Sequence, residues 1–457
     1  MIDSPQSGRD PASYRDPSGF VFHQGEKIFR YINQQGVDDF QFFISSGLAD
    51  RLKTEKLIAD FSVVDDSGDT ITIEAEKIPF ITYPYEWSFS QLRDAALATL
   101  KINRIALDHG MILKDASAFN IAFHRQRPLF IDHTSFTRYQ ENAPWAAYKQ
   151  FCTNFLAPLY LMKYVDLRCL DLLKSDINGI PLDFASHLLP WYTRFIPQTL
   201  LNIHLHSKSD LRYSGNKKYT GEANIPLQRL KRFIDGVLAQ VEALSAPESR
   251  TLWKEYYLNT NYSEKSFEYK KQAVEEFCSR QNSQVTLDLG ANTGVFSAIA
   301  AKYSGMVLAA DIDPMAVEEL YISGKKSLPN LVPVRLDLFN PTASYGLFNR
   351  ERSSFFSRCG KADCCMGLAL IHHLRVSGNW QIPDIVKLFS DTGRRALVEF
   401  VPLEDEQMRQ LVRKRDVIYR DWTIDNVIDS FQKEFALIKT TKLPDSQRVL
   451  LEFAIKE

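Results

Sequence analysis

Val285-Thr286-Leu287-Asp288-Leu289-Gly290-Ala291-Asn292-Thr293-Gly294-Val295-Phe296-Ser297-Ala298-Ile299-Ala300 is the stretch that decides the fold. Five residues of buried-strand pattern run straight into a glycine-containing turn. The apolar spacing then becomes helical, with Phe296, Ile299, Ala300 and Tyr303 on one face. Glycines at a strand-to-helix turn let the backbone approach a ligand and leave free N–H groups at the helix start. A single Gly-x-x-x-Gly serves many nucleotides, so the neighbouring strands and their end residues must supply the rest.

Two further units repeat the rhythm. Met306 to Ala310 reads as a strand ending at Asp311, and Leu331 to Leu336 as a strand ending at Asp337. A carboxylate at the tip of the second strand is placed to accept hydrogen bonds from ribose hydroxyls. Arg395 to Phe400 reads as a fifth strand, followed by a helical run from Asp405. Phe435–Lys439 and Arg448–Phe453 read as two closing strands, joined by a polar turn that contains Pro444.

The motifs DLGANTG (288–294), AADIDP (309–314), RLDLFNP (335–341) and ADCCMGLALIHHL (362–374) resemble those of class I S-adenosylmethionine-dependent methyltransferases. The fold class expected is therefore α/β. A Rossmann-like seven-stranded sheet with an antiparallel closing hairpin occupies 270–457. The resemblance implies S-adenosyl-L-methionine as cofactor. It places Asp288 near the methionine amino group, Gly290, Asn292 and Gly294 beneath the methionine part, Asp311 with Ile312 at the ribose, and Asp337 with Leu338 at the adenine. Ahead of the sheet, Trp253–Tyr257 and Asn261–Ser263 resemble an entry segment that folds over the cofactor, with Tyr262 and Lys270 as binding residues. A narrower resemblance is to bacterial methyltransferases of the nodulation-protein (NoeA-like) type.

After the fourth strand this chain has Leu368–Leu374 in place of the Asn-Pro-Pro-aromatic turn of base-amine methyltransferases, which argues against such a substrate. His372 and His373 stand at the carboxyl end of that strand, where open α/β sheets bind ligands. With Glu399 at the end of strand five they are the catalytic candidates, since imidazole can take a proton from a hydroxyl or amine near neutral pH. Alignment matters more than a base in methyl transfer, so the base is optional.

The N-terminal half carries a second signal. Asp115 and Asn120 in Leu113–Ile121 have the D-x-x-x-x-N spacing of a phosphotransferase catalytic loop, and Asp132 follows after a hairpin-sized gap. The stretch resembles protein-kinase-like and aminoglycoside-phosphotransferase-like folds, in which Asp115 would orient an acceptor while Asn120 and Asp132 held Mg²⁺. The departures are Leu113 where a histidine stands, His133-Thr134 after Asp132, no glycine-rich phosphate loop, and Arg30 where a strand lysine is sought. Arginine does not simply replace that lysine. Residues 1–18 read as a flexible leader, 19–144 as a degenerate kinase-like α+β domain, and 145–269 as a mainly helical continuation and linker. A polar stretch around 206–224 reads as a long loop within it.

A formal net charge of -1 offers no overall attraction for nucleic acid or an anionic membrane. No apolar run is long enough to span a bilayer. The six cysteines make no CxxC pair or metal-ligand spacing, which suits reduced thiols in a cytoplasmic chain. His204 and His206 lack ligand partners at suitable spacing, so no metal is expected. The expected function is methyl transfer to a hydroxyl or amine of a small-molecule or saccharide-like acceptor, with the N-terminal half selecting it or acting as scaffold. A bifunctional kinase–methyltransferase and a non-catalytic cofactor-binding scaffold are the alternatives. Oligomeric state is left open.

Overall fold

The computed structural model describes residues 8–207, 224–247, 263–412 and 419–456. The chain divides into two compact units. The N-terminal unit is Met1–Glu248 with Ala343–Ser353, and the C-terminal unit is Ser249–Thr342 with Ser354–Glu457. The expected 270–457 span is thus interrupted at 343–353. It also begins too late, because its first helix is Glu264–Gln281, with Ser263 as side-chain cap.

In the N-terminal unit, β1 (Gly19–Gln24) and β2 (Lys27–Ile32) form a hairpin at Gly25. With β3 (Phe61–Asp66) and β4 (Ile71–Ala75) they make an antiparallel sheet of order β1-β2-β4-β3. Alternation puts Phe22, Phe29, Ile71 and Ile73 inward, and Phe43 stacks on Phe136 at 4.6 Å between centroids. The helix Phe89–Asp108 starts at a capping box of Ser88 and Gln91. Ala96, Leu100 and Leu107 lie on its buried side. Beyond it, β5 (Met111–Leu113) pairs with β8 (Phe136–Arg138), and β6 (Ile121–His124) with β7 (Arg127–Phe130). The region after 145 is helical, as its spacing suggests, and belongs to the same unit. Tyr148–Phe151 continues through a π-helical turn, Cys152–Leu156, into Ala157–Tyr164, and Leu227–Glu242 packs on Phe89–Asp108. Much of the polar stretch after Ser207 lies outside the described residues.

The C-terminal unit is one seven-stranded sheet. Its strands are β9 (Ser283–Leu289), β10 (Ser304–Asp311), β11 (Leu331–Arg335), β12 (Ala362–Gly367), β13 (Gly393–Phe400), β14 (Phe435–Lys442) and β15 (Val449–Ile455). Their order is β11-β10-β9-β12-β13-β15-β14. The first five are parallel, while β15 runs antiparallel to both β13 and β14. Strands covered on both faces read as unbroken apolar runs, which is why β10 and β12 are so legible. The chain builds outward from β9 to β11, then returns to the other side of β9 as β12. A crevice opens at the carboxyl end of β9, where the direction of building reverses.

The turn after β9 is pinned there. The N–H groups of Gly290 and Ala291 both donate to the carbonyl of Ala310 at the end of β10, at 2.9 and 3.0 Å. Gly294 then holds φ +87° and starts the helix Val295–Ala301; a Cβ at this position would lie 2.2 Å from Cδ2 of Leu320. Gly294→Ala should therefore destabilise the chain by about 2 kcal/mol or more, from left-handed strain and overpacking together. Chemical denaturation reads this directly, and a loss below about 0.5 kcal/mol would show that the helix start shifts without cost.

Candidate functional site

A cavity of about 320 Å³ lies in the crevice. Asp288, Gly290, Ala291 and Asn292 line it from the first turn, Asp311 and Ile312 from the second, and Asp337 and Leu338 from the third. Lys270 and Phe296 also line it, as do Leu368–Leu370, His373 and Ser377 beyond β12. The expected cofactor residues thus converge on one cavity, with two exceptions. Gly294 is not among the lining residues; it starts the helix and packs against Leu320. Tyr262 and the Trp253–Tyr257 segment lie outside the described residues.

Each acidic group has a defined setting. The Asp288 carboxylate accepts the Ser297 hydroxyl at 2.6 Å, and burial pushes its pKa up to about 7. Asp311 accepts the N–H groups of Asn292 (2.7 Å) and Asp313 (2.8 Å), yet burial still lifts it to about 6. Its own carbonyl accepts the N–H of Leu336, which ties the third strand's exit to the second's. Asp337 accepts the N–H of Phe339 at 2.8 Å. These bonds use some carboxylate lone pairs and fix the orientation of the rest.

At the methionine end of the expected site, Lys270 is 2% exposed and its ammonium donates to Glu399 at 2.6 Å. Glu399 is fully buried and lies 3.9 Å from Arg448, which in turn donates to Asp405 (2.8 and 3.1 Å) and Gln407 (3.1 Å). Burial lowers the Lys270 pKa, while the Glu399 carboxylate works to hold its charge. The relay joins the entry helix, strand β13, the loop after it and the residue that leads into strand β15. Glu399, expected as a catalytic candidate, is placed with its carboxylate on Lys270 and is not among the residues that line the cavity.

His372, the second catalytic candidate, is also set back from the cavity. It is buried, does not line the cavity, and its Nδ1 has no hydrogen-bond partner among the described residues. Its ring lies 4.2 Å from that of His373, which does line the cavity. Burial and the Arg448 charge lower the His373 pKa to about 4, so that ring is neutral near pH 7.

In the N-terminal unit, Asp115, Asn120 and Asp132 lie in one neighbourhood. The Ser135 hydroxyl donates to Asp132 and accepts from Asn120, at 2.5 and 3.3 Å. Burial raises the Asp115 pKa, with the Asp132 charge adding to it. Asp132 is not open to a cation. Arg30 reaches it at 2.7 Å and also contacts Asp16 (3.0 Å) and Thr134 (2.6 Å). Burial opposes ionisation of Asp132, but Arg30 and the hydroxyls hold its pKa below the usual range. Among the described residues, no three His, Cys, Asp or Glu side chains are disposed to hold a metal. His204 spends both ring nitrogens on the hydroxyls of Ser186 and Thr193. No helix of the described residues is long and apolar enough to cross a membrane.

Some lining residues were missed in the sequence: Phe296, assigned only to the helix core, Leu368–Leu370, Phe339 and Ser377. The apolar ones carry no chemistry that a motif search would flag. Arg448 was invisible because its partners lie more than forty positions away.

No protein-family model matches the chain. The nodulation protein NoeA of Rhizobium meliloti (strain 1021) is 30% identical over 99% of this chain and 98% of that protein. Similar solved structures include the N-methyltransferase NodS from Bradyrhizobium japonicum WM9, at 11% identity over 43% of this chain and 100% of that one, with TM-score 0.31. The magnesium protoporphyrin IX methyltransferase ChlM from Synechocystis PCC 6803 with bound SAM is 14% identical over 46% of this chain and 87% of that one, with TM-score 0.28.

Removing one partner of a buried ion pair strands the other, whereas removing both removes the desolvation cost as well. Glu399→Gln should thus cost about 3–5 kcal/mol of stability, and Lys270→Met with Glu399→Leu should recover most of it. Urea unfolding of the single and double variants measures this. Equal losses in both would show that the pair is not an energetic unit.

Proposed function

The chain belongs to the family of the nodulation protein NoeA, and we propose that it is an S-adenosylmethionine-dependent methyltransferase whose chemistry lies in the C-terminal unit. The observation that carries this reading is the single cavity on which Asp288, Asp311 and Asp337 converge from the ends of three adjacent parallel strands. Its volume, about 320 Å³, is at the lower end for small-molecule sites. The donor set also fits: carboxylates for an ammonium and for ribose hydroxyls, and the buried Lys270 for a carboxylate. Bound there, S-adenosylmethionine supplies an electrophilic methyl group on a sulfonium.

This chain's residues then have separate tasks. Asp288 and Lys270 hold the two charged ends of the amino-acid part, and the Gly290–Asn292 backbone passes beneath it. Asp311 with Ile312 positions the ribose, and Asp337 with Leu338 the adenine. Phe296, Leu368, Leu370 and Leu374 exclude water. His373 is the imidazole placed to accept a proton from a hydroxyl or amine of a small-molecule or saccharide-like acceptor. The N-terminal unit acts in acceptor selection or as scaffold, a role supported by the guanidinium of Arg30 already seated on Asp132.

Asp288→Ala and Asp311→Ala should each abolish S-adenosylmethionine binding measured by calorimetry; unchanged affinity in both would sink the assignment. The pH dependence has a definite sign. Asp288 is held near 7 before binding, and an ammonium ligand needs its carboxylate form, so binding expels a proton. Affinity should rise as pH increases through about 7 and level off above. Below that it should fall by up to about tenfold per unit. Calorimetry in buffers of different ionisation enthalpy counts the proton.

His373→Ala should lower turnover by about 10²-fold or more at unchanged cofactor affinity, while His372→Ala should leave the chemical step intact. The assay is transfer of labelled methyl from S-adenosylmethionine to a metabolite extract, followed by identification of the labelled product. Full turnover in His373→Ala would remove the base.

A further inference from the structure

After β11 the chain lines the cofactor cavity at Leu336, Asp337, Leu338 and Phe339. Asn340, Pro341 and Thr342 come next, and at Ala343 it joins the N-terminal unit, in which it remains to Ser353. This excursion is a built hairpin. Tyr345 and Arg352 close it with two backbone hydrogen bonds of 3.0 Å. Gly346 holds φ +79°, and a Cβ there would lie 2.5 Å from the Glu351 side chain.

Its anchor is Glu351, whose side chain is fully buried. The carboxylate accepts Nε of Arg15 at 2.7 Å, Nη2 of Arg15 at 3.3 Å and the N–H of Leu347 at 3.2 Å. Beside it, the Arg352 guanidinium lies 4.4 Å from the centroid of the Phe119 ring, and the Tyr345 ring lies 5.8 Å from that of Tyr85. Phe119 stands between Asp115 and Asn120, and Tyr85 lies in the turn Pro84–Glu86. The hairpin is therefore seated on the turn Pro84–Glu86 and on the Asp115–Asn120 stretch that resembles a phosphotransferase loop. At its tip, Phe348 and Asn349 hold φ +52° and +55°, and Phe348 is 83% exposed. Left-handed backbone at a bulky residue persists only where the surroundings fix it.

We propose that this hairpin is the element through which the N-terminal unit sets the affinity of the cofactor cavity, with Glu351 as the positioning residue. The inference rests on reading the cavity as the S-adenosylmethionine site. Only three residues, one a proline of fixed φ, separate the anchored hairpin from Phe339 in the cavity wall. With the hairpin seated, residues 336–342 are already ordered when ligand arrives. With it released, binding must itself remove their backbone freedom. Coupling of this kind is reciprocal, so ligand in the cavity must also tighten the hairpin.

The test uses the full-length chain and S-adenosylhomocysteine as probe, with calorimetry for affinity and hydrogen-exchange mass spectrometry for segment 343–353. Glu351→Gln should raise exchange in that segment and weaken probe binding at least about fivefold. Arg352→Leu, which removes the guanidinium from Phe119 and from the carbonyls of Ala12 and Glu351, should act in the same direction and serves if Glu351→Gln fails to fold. In the wild-type chain, saturating probe should slow exchange at 343–353. Increased exchange in a folded variant with affinity unchanged within twofold would overturn the inference, as would wild-type exchange indifferent to bound probe. A wild-type chain that does not bind the probe removes the functional reading itself, a separate result from either.

Discussion

The molecule's chemistry depends on one topological constraint. Parallel strands joined by right-handed crossovers can be laid outward from a first strand in one direction only, until the chain returns and builds the other way. Here the reversal falls at β9, with β10 on one side and β12 on the other. Two loops leaving neighbouring strands in opposite directions cannot fill the space above β9, so a crevice forms there. The pinned turn, the acidic strand ends and the cavity all result from that placement.

Within the crevice the fold works against the ordinary ionisation of its own groups. Asp288 and Asp311 are buried, so their protons are held more firmly than in water, and burial lowers the Lys270 pKa against the pull of Glu399 and Asp288. A ligand carrying the complementary charges relieves part of that cost, whereas an uncharged one of the same shape does not. Any selectivity of the cavity for a ligand with complementary charges would thus come from desolvation as much as from hydrogen bonds. The same physics makes the relay through Glu399 to Arg448 intolerant of piecemeal change.

The sequence displayed the C-terminal sheet well, because β9 and β10 are largely apolar runs that carry an aspartate at or near their ends. Asp288, Asp311, Asp337 and Lys270, which line the cavity, could be singled out beforehand, since a carboxylate or amine at a strand end or helix face is visible in one dimension. It failed where the meaning of a side chain depends on a distant partner. The pairing of Glu399 with Lys270, 129 positions earlier, could not be read locally, nor could the fact that His373 and not His372 lines the cavity, because adjacent residues differ only in where the helix turns them. The segment 343–353 has no strong pattern of its own, and its allegiance to the N-terminal unit rests on Arg15 and Phe119, which no local window contains.

That allegiance bears on how the chain is made. Arg15 and Glu351 stand 336 positions apart, so the N-terminal unit contains a piece that leaves the ribosome long after the rest of it. During synthesis the Tyr85 and Phe119 rings and the Arg15 side chain emerge without the partners that later cover them. The unit is completed only once β9, β10 and β11 have been translated. A chain cut after Glu248 would supply neither whole body: one fragment would lack its hairpin, and the other would carry an orphaned one. Gene fission, so common between domains joined by a simple linker, is closed to this architecture.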